Sequence, residues 1–151
     1  MTTTLMLHRA GGAPLSTLFR RAAFGKKDPF AREREIAWEG PDSMIAARVD
    51  FSGELDVASF PHTETLVVVE GELSLSAAGA APLVIGPQAG AVIAGGTAVR
   101  IQARSRSRVR FVSCAVACTG PTNPGLTLLR ADADFKPSAT LAAEVLLGPA
   151  P

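Results

Sequence analysis

The sequence predicts one all-β domain, and three observations carry that prediction. The chain has 151 residues, enough for a single domain with its own core and not for two. Short β-branched runs alternate with Gly and Pro turns at spacings of about ten residues, and this pattern is typical of β-sandwiches and barrels. No long stretch with the 3.6-residue helical period competes with these runs. With 47% hydrophobic and 19% charged residues, the composition also excludes disorder for most of the chain.

The residues before Glu35 are expected to form an arm. A short helix is predicted from Leu15 to Gly25, with Ser16 as its N-cap. Asp28 and Pro29 are expected to start a further single turn, with Pro at its first position. Neither element is long enough to be stable alone, so the arm should pack on another part of the protein.

From about Glu35 onward the sequence predicts strands in close succession. They are expected at residues 44–51, 66–69, 72–76, 83–85, 91–93, 99–102 and 109–112, with one more at 126–129. In the first of them, alternation assigns Ile45, Ala47, Val49 and Phe51 to the core face. Met44, Ala46, Arg48 and Asp50 then share the opposite face.

Charge and residue usage exclude several classes of function. The net charge is +1, so a general nucleic-acid binder is not expected. There is no run of 18 apolar residues and no basic, then apolar, N-terminal signal, so neither a membrane span nor a signal peptide is expected. A cytoplasmic location is the resulting expectation.

Two features have simple structural interpretations. Cys114 and Cys118 would lie roughly 13 Å apart on one strand, too far for a disulfide, and are expected to be small buried thiols. Five arginines are expected on the solvent face of a hairpin, with an anion or acidic-partner site as the alternative. They are Arg100, Arg104, Arg106, Arg108 and Arg110.

The stretch from His62 to Leu73, with Glu64 ahead of a strand that ends in a Glu-Gly turn, resembles the first cupin motif. Leu83 to Pro87 and Gly90 to Val99 resemble the second. The Trp38-Glu39 pair is similar to the opening of ureidoglycine aminohydrolase and ethanolamine-utilisation cupins. The resemblance implies a double-stranded β-helix, or jelly-roll barrel, over residues 35–118, with an N-terminal arm at 1–34 and a C-terminal extension at 119–151. It also implies a pocket in the barrel mouth and, usually, a dimer.

When the sequence is compared with the cupin motifs in this way, most of the residues that bind metal in catalytic cupins are missing. The places of the first two His hold Ala58 and Phe60, or Val57 and Ser59, and the third holds Val99. His62 and Glu64 alone are too few ligands for a first-row metal. No metal and no cofactor are therefore expected.

Four residues are candidates for a ligand site: Trp38, Arg48, His62 and Glu64. Glu64 either points inward, as the best acid/base candidate, or lies outside as an ordinary carboxylate. If it were buried with no metal or Arg partner, its pKa should be raised. His62 is either a pocket residue or a loop residue after Pro61. Arg48 either holds a carboxylate ligand or forms a surface pair with Asp50 or its neighbours.

Three hypotheses about function follow. The first is a metal-free cupin that binds a small molecule or serves as an assembly module. The second is an enzyme that uses Glu64 with His62 on a small nitrogenous or carboxylate metabolite. The third is one half of a two-barrel protein. The apolar residues of the arm and tail further predict a two-fold homodimer in which these segments pack on the partner.

Overall fold

The computed structural model describes residues 18–41, 43–104 and 108–129, and in these ranges it contains strands and turns but no helix. The prediction of an all-β fold is confirmed. The strands are β1 (Arg20–Arg21), β2 (Arg34–Gly40), β3 (Met44–Phe51), β4 (Glu54–Val57), β5 (His62–Glu70), β6 (Leu73–Ala77), β7 (Leu83–Ile85), β8 (Gly90–Ile93), β9 (Val99–Ala103), β10 (Val109–Ala117) and β11 (Leu126–Leu129). Consequently, no helix in the described ranges is available to cross a membrane.

The strands form two antiparallel sheets. One has seven strands in the order β1-β2-β3-β10-β5-β8-β11, and the other has four in the order β4-β9-β6-β7. Chain neighbours such as β3 and β4, or β9 and β10, lie in different sheets, which is jelly-roll topology. Side chains from both sheets, such as Leu66 and Ile101, are fully buried between them. This interlayer space holds the core and the candidate site.

The alternation predicted for β3 is confirmed. Its strand limits match the prediction, and Ile45, Ala47, Val49 and Phe51 are buried while their neighbours are partly exposed. The sequence did not indicate β4, because its residues Glu54 and Asp56 have low strand propensity. β4 instead forms through pairing along β9 at a sheet edge.

The helix predicted from Leu15 to Gly25 is wrong over the part of it that the structure describes. Residues 15–17 lie outside the described residues, and Arg20–Arg21 form β1, which pairs with β2. Ion pairs across this ladder, from Arg20 to Glu39 and from Arg21 to Glu35, stabilise an extended segment instead. The turn predicted at Asp28 is present, since the Ala31 N–H donates to the Asp28 carbonyl.

Residues 18–34, here called the strap, reach into the core. Phe30 is fully buried and contacts the rings of Phe51, Phe60 and Phe111 at centroid distances of 5.8, 6.4 and 5.3 Å. Phe30 and Arg34 therefore lie inside the barrel although the sequence assigned them to an arm. Of the apolar residues expected on a dimer partner, Phe24, Phe30 and Leu126 pack on their own barrel instead.

Two further expectations need correction. Cys114 and Cys118 are exposed free cysteines, because both lie on the outward side of the seven-stranded sheet or beyond its end. The arginine-rich segment is not a hairpin, because β9 and β10 belong to different sheets. Arg106 lies outside the described residues. The other four arginines pair with acidic neighbours: Arg100 with Glu54 and Asp56, Arg104 with Glu72, and Arg108 and Arg110 with Asp50.

Candidate functional site

Arg34 is a fully buried arginine at the start of β2. Its Nε and Nη2 donate to Asp28 at 2.8 and 3.0 Å, and its Nη1 and Nη2 donate to Glu64 at 2.8 and 3.0 Å. The remaining N–H, on Nη1, points to the Ser113 hydroxyl at 3.3 Å. A guanidinium carries five N–H groups, so every donor of Arg34 has a partner. The result is a guanidinium held on two edges by two buried carboxylates.

Asp28 is positioned by the strap itself. Its carboxylate accepts the backbone N–H of Phe30, two residues on, at 3.0 Å and that of Phe24 at 2.8 Å. The first contact is the local turn that Asp side chains favour. The turn fixes Asp28 so that its other lone pairs face Arg34.

Glu64 points inward from β5, in the alternation that also buries His62, Leu66 and Val68. Of the two orientations left open by the sequence, the inward one is present. Burial alone would raise the pKa of Glu64. Hydrogen bonds from His62 and Arg34, together with the charge of Arg34, outweigh that effect and lower the pKa from 4.5 to about 2. The condition for a raised pKa, a missing Arg partner, is not met.

His62 is also buried, and its Nε2 lies 2.9 Å from Glu64 Oε2. An ionised carboxylate only accepts, so His62 Nε2 carries the hydrogen. The ring packs edge-on against Phe24 at 4.9 Å and Phe60 at 5.0 Å. His62 is therefore an interior residue and not a loop histidine.

Arg48 and Trp38 do not join this cluster. Arg48 lies on the outward face of β3, pairs with Glu35 at 2.6 Å, and has its Cζ 4.0 Å from the centroid of the Phe19 ring. Of the two alternatives for Arg48, the surface ion pair is therefore present, and its partner is Glu35 and not Asp50. Trp38 is partly buried and its ring covers the backbone at Gly40. Only His62 and Glu64 of the four candidates are brought together.

The residues present do not fit a metal centre. Both Glu64 oxygens already accept hydrogen bonds from Arg34 or His62. Phe60 and Val99, at two of the positions where the motif would supply His, are buried apolar residues of the core. Within the described ranges, no three His, Cys, Asp or Glu side chains are grouped to hold a metal ion.

Sequence reasoning missed Asp28 and Arg34, the two residues that complete the cluster. Arg34 meets Glu64 and Ser113, which are 30 and 79 positions away, so no local spacing reveals the contacts. The one available signal was the Asp28-Pro29-Phe30 sequence, which favours an Asp-capped turn. It predicts the turn but not its partner.

Among the cavities on the described surface, two have volumes of about 430 Å³, and none of the four cluster residues lines either of these. One lies beside Thr63, Gly95 and Cys118, past the ends of β5 and β10. The other lies beside Ser74, Val84 and Arg104 on the four-stranded sheet. The buried cluster is thus separate from both openings.

The two packed sheets and their strand order define a double-stranded β-helix, which is the fold of the cupins. Among solved structures it is similar to a protein of unknown function of the DUF861 family from Pseudomonas syringae, with 32% identity and a TM-score of 0.78. The match covers 92% of this chain and 58% of that one, so the chain spans little more than half of that relative.

Two more distant structures are similar. A protein of unknown function from Rhizobium leguminosarum has 14% identity and a TM-score of 0.53 over 70% of this chain and 100% of its own. A cupin-2 domain protein from Shewanella frigidimarina has 17% identity and a TM-score of 0.48 over 55% and 78%. No protein-family model and no curated protein matches the chain.

Proposed function

We propose that this chain is a cupin barrel that acts as an assembly module and that its interior is filled by its own residues. The observation that carries the proposal is the buried strap. Phe30 occupies the space between the sheets, and Arg34 engages the one inward carboxylate of β5. A barrel closed in this way is expected to act through its outer surface.

Catalysis and small-molecule binding inside the barrel would both require a free interior. Catalysis by Glu64 with His62 would need a carboxylate oxygen that faces a ligand, whereas Glu64 accepts three hydrogen bonds from protein donors. A low pKa also makes it a poor proton acceptor near neutral pH. A small-molecule pocket would need the volume that Phe30 and its neighbouring rings occupy. Both points favour the assembly role.

The outer face of the seven-stranded sheet is the surface that the proposal assigns to assembly. Two rows toward one end of its strands carry no charge. The first row pairs Met44, Val116 and Thr63, and the second pairs Ala46, Cys114, Thr65 and Val92. Val116 in the first row is 38% exposed, and Val112, in the neighbouring row with Arg48, is 45% exposed, so apolar side chains face outward here.

We assign a second copy of this chain to that face. An isologous interface needs a self-complementary surface, and uncharged rows followed along the sheet by rows with both signs of charge, at Arg48, Asp50 and Arg110, meet that need. The Pseudomonas relative extends well beyond the part that matches this chain, so in that protein the matching part is joined to a further segment of chain. We further propose a cytoplasmic location, which the two free cysteines support, since thiols persist in reducing compartments.

Native mass spectrometry of protein purified without chelators tests this proposal, with elemental analysis of the same sample. The expected result is a dimer mass with no bound small molecule. A stoichiometric organic adduct, or a monomer at micromolar concentration, would contradict the assembly role.

A further inference from the structure

We propose that Asp28 and Glu64 form a guanidinium-binding site inside the barrel, and that Arg34 is the ligand this chain supplies to itself. This proposal and the proposed function both rest on the filled interior, but this one does not depend on the assembly surface. The geometry indicates the class of ligand, which is a planar cation that donates hydrogen bonds from two adjacent edges.

The shape of the site matches a guanidinium group and no simpler cation. Asp28 accepts from the Nε and Nη2 edge, and Glu64 accepts from the Nη1 and Nη2 edge, each within 3.0 Å. Two bidentate contacts on neighbouring edges require a rigid planar fork. An ammonium ion is more compact and would donate to only some of the carboxylate oxygens of Asp28 and Glu64. The acidic and His side chains of the described ranges do not group into a metal site.

The walls of the site are held independently of Arg34. Backbone N–H groups of Phe24 and Phe30 fix Asp28, and His62 fixes Glu64. The Phe30 ring forms one face, with its centroid 5.6 Å from Arg34 Cζ. Shortening Arg34 therefore leaves two oriented, buried carboxylates with no cation between them. Such a site favours a free guanidinium ion that restores the lost contacts.

Chemical rescue tests the inference. We expect the Arg34→Ala variant to melt below the wild type, and about 20 mM guanidinium chloride to raise its Tm by at least about 2 °C. The same concentrations of potassium chloride or manganese chloride should leave it unchanged. The wild type should not respond, since Arg34 fills the site. An Arg34→Ala variant that ignores guanidinium, or responds equally to potassium, would overturn the inference.

The Arg34→Ala/Glu64→Gln double variant is the matched control. It removes one of the two uncompensated carboxylates together with the arginine, so it should be more stable than the single variant and should respond less to guanidinium. Should the single variant be recovered unfolded, its refolding yield is compared with and without the same guanidinium concentration. Recovery only with guanidinium supports the site, and equal yields overturn it. Native mass spectrometry of the wild type reports separately on assembly, so the two proposals fail by different results.

Discussion

At Glu64, burial and hydrogen bonding act on one carboxyl in opposite directions. Burial disfavours the anion, while His62 and Arg34 stabilise it, and the second effect is larger. Burial likewise disfavours the charged form of Arg34, but its hydrogen bonds to Asp28 and Glu64, and their charges, raise its pKa above the usual value. The side chain that most resembled a catalytic acid is therefore a fixed anion.

A pH dependence follows from this balance. Because folding lowers the pKa of Glu64 from 4.5 to about 2, the carboxyl stabilises the native state at pH values above 4.5. That stabilisation, roughly 3 kcal/mol, should be lost as the pH falls from 4.5 toward 2. Urea unfolding at a series of pH values measures it. Stability unchanged down to pH 2 would contradict the assignment.

The Glu64→Gln variant tests the same residue at constant pH. It leaves a buried Arg34 with a single carboxylate, so we expect a loss of about 3 kcal/mol at pH 7, measured by urea unfolding. Glu54→Gln is the matched control. Glu54 pairs with Arg100 on the surface, where such pairs contribute about 0–1 kcal/mol. Equal effects of the two substitutions would count against a special role for the buried pair.

At the scale of elements, the strap is part of the core. Phe30→Ala removes a ring that contacts three other phenylalanines, so we expect it to lower the free energy of unfolding by about 3–5 kcal/mol. Phe19→Ala removes a ring that is 39% exposed and stacks on Arg48, and should cost at most about 1 kcal/mol. Similar losses in the two variants would show that the strap is peripheral.

The strands that could be predicted from sequence are those whose own residues specify them. β3, β7 and β11 have their predicted limits because each is a β-branched or aliphatic run, and Gly follows the first two within two residues. β1 and β4 depend on charged residues that become extended only by pairing with another strand. Their existence is a tertiary effect, which local propensity does not report.

The residues of the candidate site also fall into two groups, those that local sequence predicts and those that it does not. His62 and Glu64 are two residues apart on one strand, so their shared face could be predicted. Their partners Asp28 and Arg34 come from a segment whose only local signal is a turn. The sequence therefore indicated the carboxylate but not the cation that determines its chemistry.

At the scale of the whole molecule, the uncharged outer rows of the seven-stranded sheet should mediate dimerisation. Val116→Asp places a charge in the middle of those rows, and we expect sedimentation velocity to show a shift from dimer to monomer. Val84→Asp is the control, because Val84 is similarly exposed, at 44%, but belongs to the four-stranded sheet. Dissociation by Val84→Asp alone would place the interface on the other sheet.

Cys114 provides a second test of the same interface. It lies in the second uncharged row, whereas Cys118 lies past the end of β10. Cys118 Sγ lies 3.7 Å from Thr63 Oγ1 of the first row, so maleimide labelling of both thiols should slow as protein concentration rises through the dimerisation range. Burial raises the pKa of Cys114, so the dependence on concentration and not the absolute rate is diagnostic. Concentration-independent labelling of both thiols would exclude this face.

We infer that the chain's own guanidinium group is the cation of the barrel interior. A crystal structure of protein purified without chelators, with anomalous data collected at the edges of manganese, nickel and zinc, tests it most directly. We expect planar density for Arg34 between Asp28 and Glu64, with no anomalous peak nearby. A metal peak at ligand distance from Glu64, with Arg34 turned away, would contradict it.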